Sequence, residues 1–196
     1  VPDFTADTTD GEISFHQWKA GSWAVFFSHP ADFTPVCTTE LGRTAALQTE
    51  FANRNTKAMA LSVDLIEDHH GWAPDIGEVS GNALNFPIVA DPDRTVAELY
   101  DMIHPGEGDT STVRSVFVID PENKLRLSLT YPKSVGRNFD EIVRVLDALQ
   151  ATDRDPIATP ADWKPGDRVI VSPGMSTEDA IERFENVEVV KPYLRF

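Results

Sequence analysis

The stretch Trp23–Arg43 reads WAVFFSHPADFTPVCTTELGR, and it decides how the rest of the chain is interpreted. Its first six residues, Trp23–Ser28, are apolar enough for a strand that is covered on both faces. A loop with two prolines follows, and then a helix is favoured because Thr34 suits the N-cap and Pro35 suits the first helical position. The stretch therefore predicts a buried strand that leads into a helix, with Cys37 in the first helical turn.

Similar apolar runs recur along the chain and alternate with longer, more polar segments of helical character. This alternation is typical of an α/β fold, in which a central sheet lies between helices. Further strands are predicted at Ala58–Val63, Pro87–Ala90, Ser115–Ile119 and, as a half-exposed edge strand after a hairpin turn, Lys124–Thr130. Helices are predicted at Pro35–Asn53, Glu67–Val79, Arg94–Met102 and Phe139–Gln150.

The composition changes after Gln150, where Pro156, Pro160, Pro165 and Pro173 interrupt the sequence. Only a short strand, Arg168–Val171, and one helix, Thr177–Phe184, are predicted in this part. A piece of about 45 residues is too small to own a core, so it must pack on the main domain or on a partner subunit. We therefore expect a main domain at residues 1–150 and a C-terminal arm at residues 151–196.

The charge balance narrows the classes of partner. The chain has 32 acidic and 17 basic residues and a formal net charge of -15, so no basic stripe is available for nucleic acid or an anionic membrane surface. The first residues resemble neither a signal peptide nor a membrane span, and we expect a soluble protein in the cytoplasm. Abundant Asp and scarce Lys suggest a salt-rich cytoplasm, with an ordinary acidic protein as the alternative.

Cys37 is the one cysteine in the chain, so no intramolecular disulfide can form. A lone cysteine is either a small buried hydrophobe or a reactive thiol in a reducing compartment. Only the thiolate is a nucleophile, and the unpaired N–H groups and positive end of a helix N-terminus favour that anion. The predicted position of Cys37 therefore favours the reactive thiol.

At this segment the sequence resembles the peroxiredoxins, whose signature Pro-x-x-x-Thr-x-x-Cys is matched by Pro30, Thr34 and Cys37. The longer stretch SHPADFTPVCTTELGR is similar to the one-cysteine subclass. SVFVIDPENKLRLSLTYP and GRNFDEIVRVLDALQ resemble the later strands and final core helix of the family, and ATPADWKPGD resembles the start of its C-terminal arm. The resemblance covers nearly the whole chain and implies a thioredoxin-like fold, with a central mixed sheet flanked by helices.

The resemblance also implies an activity, the reduction of hydrogen peroxide and organic hydroperoxides. Cys37 would be the peroxidatic nucleophile, Thr34 would hydrogen-bond the peroxide, and Pro30 would shield the site. Arg114 would stabilise the thiolate and bind the peroxide oxygens. The sequence supports this last role independently, because an arginine that leads directly into a buried apolar run is rarely an ordinary solvated charge.

Three more residues are implied by the same resemblance. Glu40 and Arg137 match a carboxylate and a second arginine that orient the first, and His29 matches a residue proposed to hydrogen-bond near the sulfur. A histidine at a strand end is equally often only packed. No cofactor and no metal site is expected, and the polar residues Asp64, Glu67, Asp68, His69 and His70 are interpreted as a solvated helix face.

Several hypotheses stay open at this stage. The first is a one-cysteine peroxidase that turns Cys37 into sulfenic acid and is recycled by an external thiol or other small reductant, since the chain has no second cysteine. The second is a peroxide sensor or a chaperone-like binding protein of the same fold, and the third is a structural relative with an inert Cys37. By resemblance we expect a homodimer or a decamer, with the arm at an interface.

Overall fold

A computed structural model describes residues 1–196, and its central feature is a sheet of seven strands. The strands are β1 (Thr5–Thr8), β2 (Gly11–Ser14), β3 (Trp23–Ser28), β4 (Thr56–Ser62), β5 (Ile88–Ala90), β6 (Arg114–Ile119) and β7 (Leu125–Tyr131). Their order is β2-β1-β5-β4-β3-β6-β7. Strand β3 pairs in parallel with β4 and antiparallel with β6, so the sheet is mixed, and the prediction of an α/β fold is confirmed.

Five α-helices accompany this sheet: α1 (Phe15–Lys19), α2 (Pro35–Ala46), α3 (Gln48–Asn53), α4 (Ile66–Ser80) and α5 (Thr95–Leu99), with a 3₁₀ turn at Pro105–Glu107. The prediction of one helix from Pro35 to Asn53 was wrong. The backbone leaves helical geometry at Leu47 (φ -90°, ψ 7°), and the segment divides into α2 and α3. The helix predicted to reach Met102 ends earlier, since Asp101 has a positive φ of 53°.

Strand β3 is almost entirely apolar because successive side chains point to opposite faces of the sheet and both faces are covered. Phe26 belongs to a core cluster that includes Met59 and Tyr100. Its neighbour Phe27 packs instead against Phe86 and Phe139. Both rings are fully buried, each contributing about 1.5–3 kcal/mol of apolar burial. Strand β3 is thus an anchored element, and the loop that follows it starts from a fixed point.

Helices α2 and α4 contact each other, and a glycine lies at their crossing. A Cβ atom added at Gly42 would lie 2.5 Å from Ser80 Cβ, a distance that real Cβ atoms do not show. The absence of a side chain at position 42 therefore allows the two helices to approach this closely.

The chain divides into two compact units, Val1–Phe139 and Asp140–Phe196. The second unit contains most of α6 (Phe139–Arg154), then β8 (Ile157–Ala158), β9 (Ile170–Val171), α7 (Thr177–Arg183), β10 (Val189–Lys191) and β11 (Leu194–Arg195). It has a small cluster of Ala148, Ala151 and Trp163. The domain boundary expected at residue 150 stays a prediction. None of the helices combines the length and the apolar character needed to cross a membrane.

Candidate active site

Cys37 occupies the third position of helix α2, and its side chain is fully buried. Thr34 is the N-cap, with an extended backbone (φ -115°, ψ 147°), and Pro35 is the first helical residue. The sequence predicted this arrangement. The sulfur therefore lies in the turn where backbone N–H groups have no intrahelical partner and where the helix end carries partial positive charge.

Arg114 approaches this sulfur from the first position of strand β6. Its Nη1 lies 3.3 Å from Cys37 Sγ, within hydrogen-bond distance, and the side chain is only 3% exposed. The other edge of the guanidinium is fixed, because Nε and Nη2 donate to the carbonyl oxygen of Lys133 at 2.9 and 2.7 Å. Since the guanidinium group is planar and rigid, these two hydrogen bonds to the Lys133 carbonyl oxygen determine where Nη1 points.

Glu40 lies one turn of α2 after Cys37 and joins two arginines. Its Oε2 accepts from Arg114 Nη1 at 2.7 Å and from Arg137 Nη2 at 2.6 Å, and its Oε1 accepts from the Nε and backbone N–H of Arg137 at 2.9 and 2.7 Å. We call Glu40, Arg114 and Arg137 the arginine cluster. One carboxylate and two guanidinium groups leave one net positive charge beside the sulfur, and this charge favours a thiolate.

Burial and pairing act against each other in the arginine cluster. Burial raises the pKa of Glu40, but the hydrogen bonds and charge of Arg137 outweigh it and hold that pKa below its ordinary value. Burial lowers the pKa of Arg137, and Glu40 opposes the change. Arg137 also donates from Nη1 to the carbonyl oxygens of Ser28 and Ser115 at 2.7 and 2.9 Å, and it lies over the Phe27 ring. Its position is therefore determined by the ends of strands β3 and β6.

The loop between β3 and α2 carries the other residues of the signature. Pro30 is partly buried. The Thr34 hydroxyl donates to the Ala31 carbonyl oxygen at 2.8 Å, so it makes no side-chain cap for helix α2. Between them Phe33 has a positive φ of 53°, which is rare for a bulky residue and marks local strain. The loop brings the Thr34 hydroxyl to the start of α2 and engages it with the loop's own backbone.

His29 is fully buried at the end of β3, and its Nε2 lies 2.8 Å from Asp32 Oδ1. Its Nδ1 has no hydrogen-bond partner, so no hydrogen bond links the imidazole to Cys37. The second carboxylate oxygen, Asp32 Oδ2, lies 2.5 Å from His69 Nδ1, and His69 Nε2 lies 3.1 Å from the Val89 carbonyl oxygen. We call His29, Asp32 and His69 the histidine cluster.

Asp32 is ionised at neutral pH. Burial raises its pKa, but the hydrogen bonds from His29 and His69 outweigh this effect and lower the pKa to about 2. Burial also lowers the pKa of His29, despite the opposing influence of Asp32. The Asp32 backbone N–H donates to Asp64 Oδ2 at 3.0 Å, and this bond ties the loop to the residues after strand β4.

The interpretation of residues 64–70 as a solvated face was wrong for His69. Helix α4 buries His69, Trp72 and Ile76, whereas His70 points to solvent. His69 could have been found from the sequence, because spacings of three and seven residues place it on the apolar face of the helix with Trp72 and Ile76. Candidate ligand atoms of His29, Asp32 and Asp64 lie within 4.8 Å of one another, but the first two already hydrogen-bond directly.

Two protein families match this chain. Residues 1–128 match the AhpC/TSA family, and residues 148–186 match the C-terminal domain of 1-Cys peroxiredoxin. Among curated proteins, the 1-Cys peroxiredoxin of Dictyostelium discoideum is 52% identical over 196 residues, which cover all of this chain and 81% of that protein.

Solved structures agree with these matches. A cysteine-to-serine variant of peroxiredoxin 6 from Arenicola marina has a TM-score of 0.95 and 48% identity, over 99% of this chain and 93% of that one. The yeast mitochondrial 1-Cys peroxiredoxin has a TM-score of 0.95 and 49% identity, over 100% and 95% of the two chains. The fold is thus the thioredoxin-like fold of peroxiredoxins. The chain belongs to the AhpC/TSA family and, within it, to the 1-Cys peroxiredoxins: it is a thiol-dependent peroxidase with one cysteine, Cys37.

Proposed function

We propose that the arginine cluster activates Cys37 and binds the hydroperoxide, with Arg114 as the group that touches the reacting atoms. The observation that carries this proposal is the 3.3 Å distance between Arg114 Nη1 and Cys37 Sγ, at a site where both side chains are buried. Fixed donors in a water-poor site stabilise developing charge more strongly than donors in water. Glu40 and Arg137 act as positioning residues. Glu40 hydrogen-bonds Arg114 directly, and Arg137 acts on Arg114 through Glu40.

The chemical step is a displacement at oxygen. The Cys37 thiolate attacks the terminal oxygen of the hydroperoxide, an S–O bond forms, and the O–O bond breaks. The departing oxygen leaves with the electron pair of that bond and takes a proton, so that water or an alcohol is released. Cysteine is oxidised to sulfenic acid and the peroxide is reduced. Arg114 stabilises negative charge on the sulfur at the start and on the departing oxygen at the end.

The loop before α2 receives the peroxide in this proposal. The Thr34 hydroxyl now donates to Ala31 at the start of the same helix as Cys37, and a rotation of its side chain would turn it to a peroxide oxygen. Pro30 has no N–H and limits water access. His29 offers an unpartnered buried nitrogen, Nδ1, as a hydrogen-bond acceptor.

Intact-mass analysis after one equivalent of hydrogen peroxide tests the assignment of Arg114. The native chain should gain one oxygen rapidly, and Cys37→Ser should gain none. Arg114→Ala should react about 100-fold to 1000-fold more slowly, the usual loss when one fixed donor to a reacting oxygen is removed. Arg43→Ala, exposed on the same helix as Cys37, is the matched control and should react at the native rate. Equal rates for the native chain and Arg114→Ala would disprove the assignment.

Recycling requires an external thiol or another small reductant, because the single cysteine leaves no second thiol within the chain. For the yeast mitochondrial 1-Cys peroxiredoxin, the solved structure describes a thiol resolving mechanism that uses the glutathione and thioredoxin systems. We propose a reductant of the same chemistry for this chain, a small thiol such as glutathione. Repeated turnover with glutathione supports this proposal, and oxidation that stops after one equivalent of peroxide contradicts it.

The cellular setting is also a proposal. A free cysteine and an acidic charge balance fit a reducing cytoplasm and partners other than nucleic acid or a membrane surface.

We propose a homodimer, because strand β7 is an edge of the sheet and presents unpaired backbone groups to a second copy. Sedimentation of the native chain as a monomer at micromolar concentration would contradict the dimer.

A further inference from the structure

The histidine cluster lies against the loop that carries the proposed peroxide-binding groups. Asp32 belongs to this loop, and both of its carboxylate oxygens are bonded by histidines, Oδ1 by His29 and Oδ2 by His69. His69 belongs to a different element, helix α4. A side chain that is remote in sequence therefore holds the loop through one buried carboxylate.

The hydrogen-bond partners determine where the protons are. A carboxylate only accepts hydrogen bonds, so the two nitrogens that face Asp32 must both carry protons. On its other side, His69 Nε2 lies 3.1 Å from the Val89 carbonyl oxygen, which is also an acceptor. His69 thus faces an acceptor on each side of its ring, whereas His29 donates from Nε2 to Asp32 and keeps an electron pair on Nδ1.

We propose that His69 is a positioning residue of the peroxidase, which fixes Asp32 and through it the imidazole of His29 and the loop that ends at Thr34. This inference rests on the proposed function, in which that loop receives the peroxide. His69 acts through Asp32, since its two hydrogen bonds are with Asp32 and with the Val89 carbonyl oxygen, and it meets His29 only as a tilted ring at 6.4 Å between centroids.

A role in folding alone would not require this chemistry. The loop is also held by the Asp32 N–H bond to Asp64 and by the bond from Thr112 Oγ1 to the His29 carbonyl oxygen, and neither involves His69. Without His69, however, the buried Asp32 carboxylate would lose one of its two imidazole hydrogen bonds, and leaving a buried charged acceptor unsatisfied is costly enough to make it rotate or take a proton. Either change alters the bond to His29 Nε2. The chemical environment of the peroxide site is thus more sensitive to His69 than the path of the backbone is.

Two amide substitutions separate the two bonds of His69. The amide nitrogen of Asn reaches about as far as Nδ1 of histidine, so His69→Asn keeps a donor to Asp32. The amide nitrogen of Gln reaches about as far as Nε2, so His69→Gln keeps a donor to the Val89 carbonyl instead. The two variants are matched in polarity and in the number of bonds retained. His70→Asn and His70→Gln, on the exposed neighbouring residue, control for the substitutions themselves.

Two rates are measured in each variant at pH 7: oxidation of Cys37 by hydrogen peroxide and alkylation of Cys37 by iodoacetamide. Oxidation should be on the order of tenfold slower in His69→Gln, the loss expected when a hydrogen bond to a charged group is removed, and close to native in His69→Asn. Alkylation needs no peroxide-binding group, so it should stay close to native in both. Both His70 variants should match the native chain in both rates.

Native oxidation in His69→Gln would overturn the inference, and so would equal losses in His69→Asn and His69→Gln. A parallel loss of oxidation, alkylation and thermal stability would also overturn it, because it would assign His69 to folding alone. Failure of the proposed function has a different signature, since the native chain and the His70 variants would then oxidise no faster than free cysteine.

Discussion

The arginine cluster and the histidine cluster are both buried and both flank the start of helix α2, but their charges have different origins. Guanidinium groups stay protonated at any ordinary pH, so the charge that Arg114 and Arg137 bring to Cys37 is permanent. In the histidine cluster the charge depends on protonation, because burial lowers the pKa of His29 and favours its neutral form. The comparison shows that the two tasks are separate. The arginine cluster supplies a constant charge to Cys37, whereas the histidine cluster positions the loop and depends on protonation.

The largest expected effect tests whether the arginine cluster depends on its one carboxylate. Glu40→Gln leaves Arg114 and Arg137 buried next to each other without the negative charge between them. Breaking a buried ion pair in this way costs about 3–5 kcal/mol of the free energy of unfolding, measured by urea denaturation.

Glu50→Gln is the control, because Glu50 is half exposed and pairs with Arg54 on the surface. An exposed pair of this kind contributes about 0–1 kcal/mol. Similar losses in the two variants would mean that burial of the arginine cluster has no energetic consequence.

An intermediate effect separates the two clusters by pH. Burial lowers the pKa of His29 below its ordinary value of 6.5, so on acidification the unfolded chain takes up a proton that the folded chain does not. Stability should therefore fall as the pH drops through 6.5, by at most about 1.4 kcal/mol per pH unit for one proton. The pKa of Glu40 is lowered from 4.5 and that of Asp32 from 3.8, and both carboxylates contribute stability that is lost only below those values.

The window between pH 6.5 and 4.5 thus reports on the histidine cluster and not on the arginine cluster. Urea denaturation of His29→Gln should show a flatter pH dependence in this window than the native chain. His70→Gln, on an exposed side chain, should keep the native slope. A native slope in His29→Gln would show that other groups cause the pH dependence.

The smallest expected effect compares both clusters with the acidic exterior. We propose that the net charge of -15 reflects a salt-rich cytoplasm, in which a Debye length of about 3 Å at 1 M salt suppresses self-repulsion. The thermal unfolding midpoint should rise between 0.1 and 2 M KCl. The rate of Cys37 oxidation should change less than about twofold, because both clusters are buried and the peroxide is neutral. A constant midpoint would contradict the high-salt hypothesis.

The sequence predicted those strands that consist of uninterrupted apolar residues, because such residues must be buried. Strands β3 and β6 were predicted because runs such as WAVFFS and SVFVI have few alternatives to a covered sheet. The hairpin of β1 and β2 was missed because TADT and GEIS are short and polar, and their strand geometry comes from pairing with each other and with Val89 of β5. The break at Leu47 was missed for a similar reason, since the helix-favouring pattern continues across it.

The candidate site divides along the same line. Cys37 and Thr34 follow from local rules for a helix start, and Arg114 has support from its place before a buried apolar run, whereas Glu40 and Arg137 came from the resemblance to a family alone. The Lys133 carbonyl that fixes Arg114 carries no side-chain signal at all. His69 was misjudged because its neighbour His70 and the acidic residues before it indicate a solvated face, and only helical spacing contradicts them.

Gly42 has no reactive group, yet it affects both clusters at once. Helix α2 carries Cys37 and Glu40, helix α4 carries His69, and the two helices touch where a Cβ at position 42 would collide with Ser80. Even the methyl group of alanine at position 42 would push the two helices apart and displace the Cys37 sulfur relative to the His69 imidazole. The distance between helices α2 and α4, and with it the spacing of the two clusters, therefore depends on a residue that takes part in none of the chemistry.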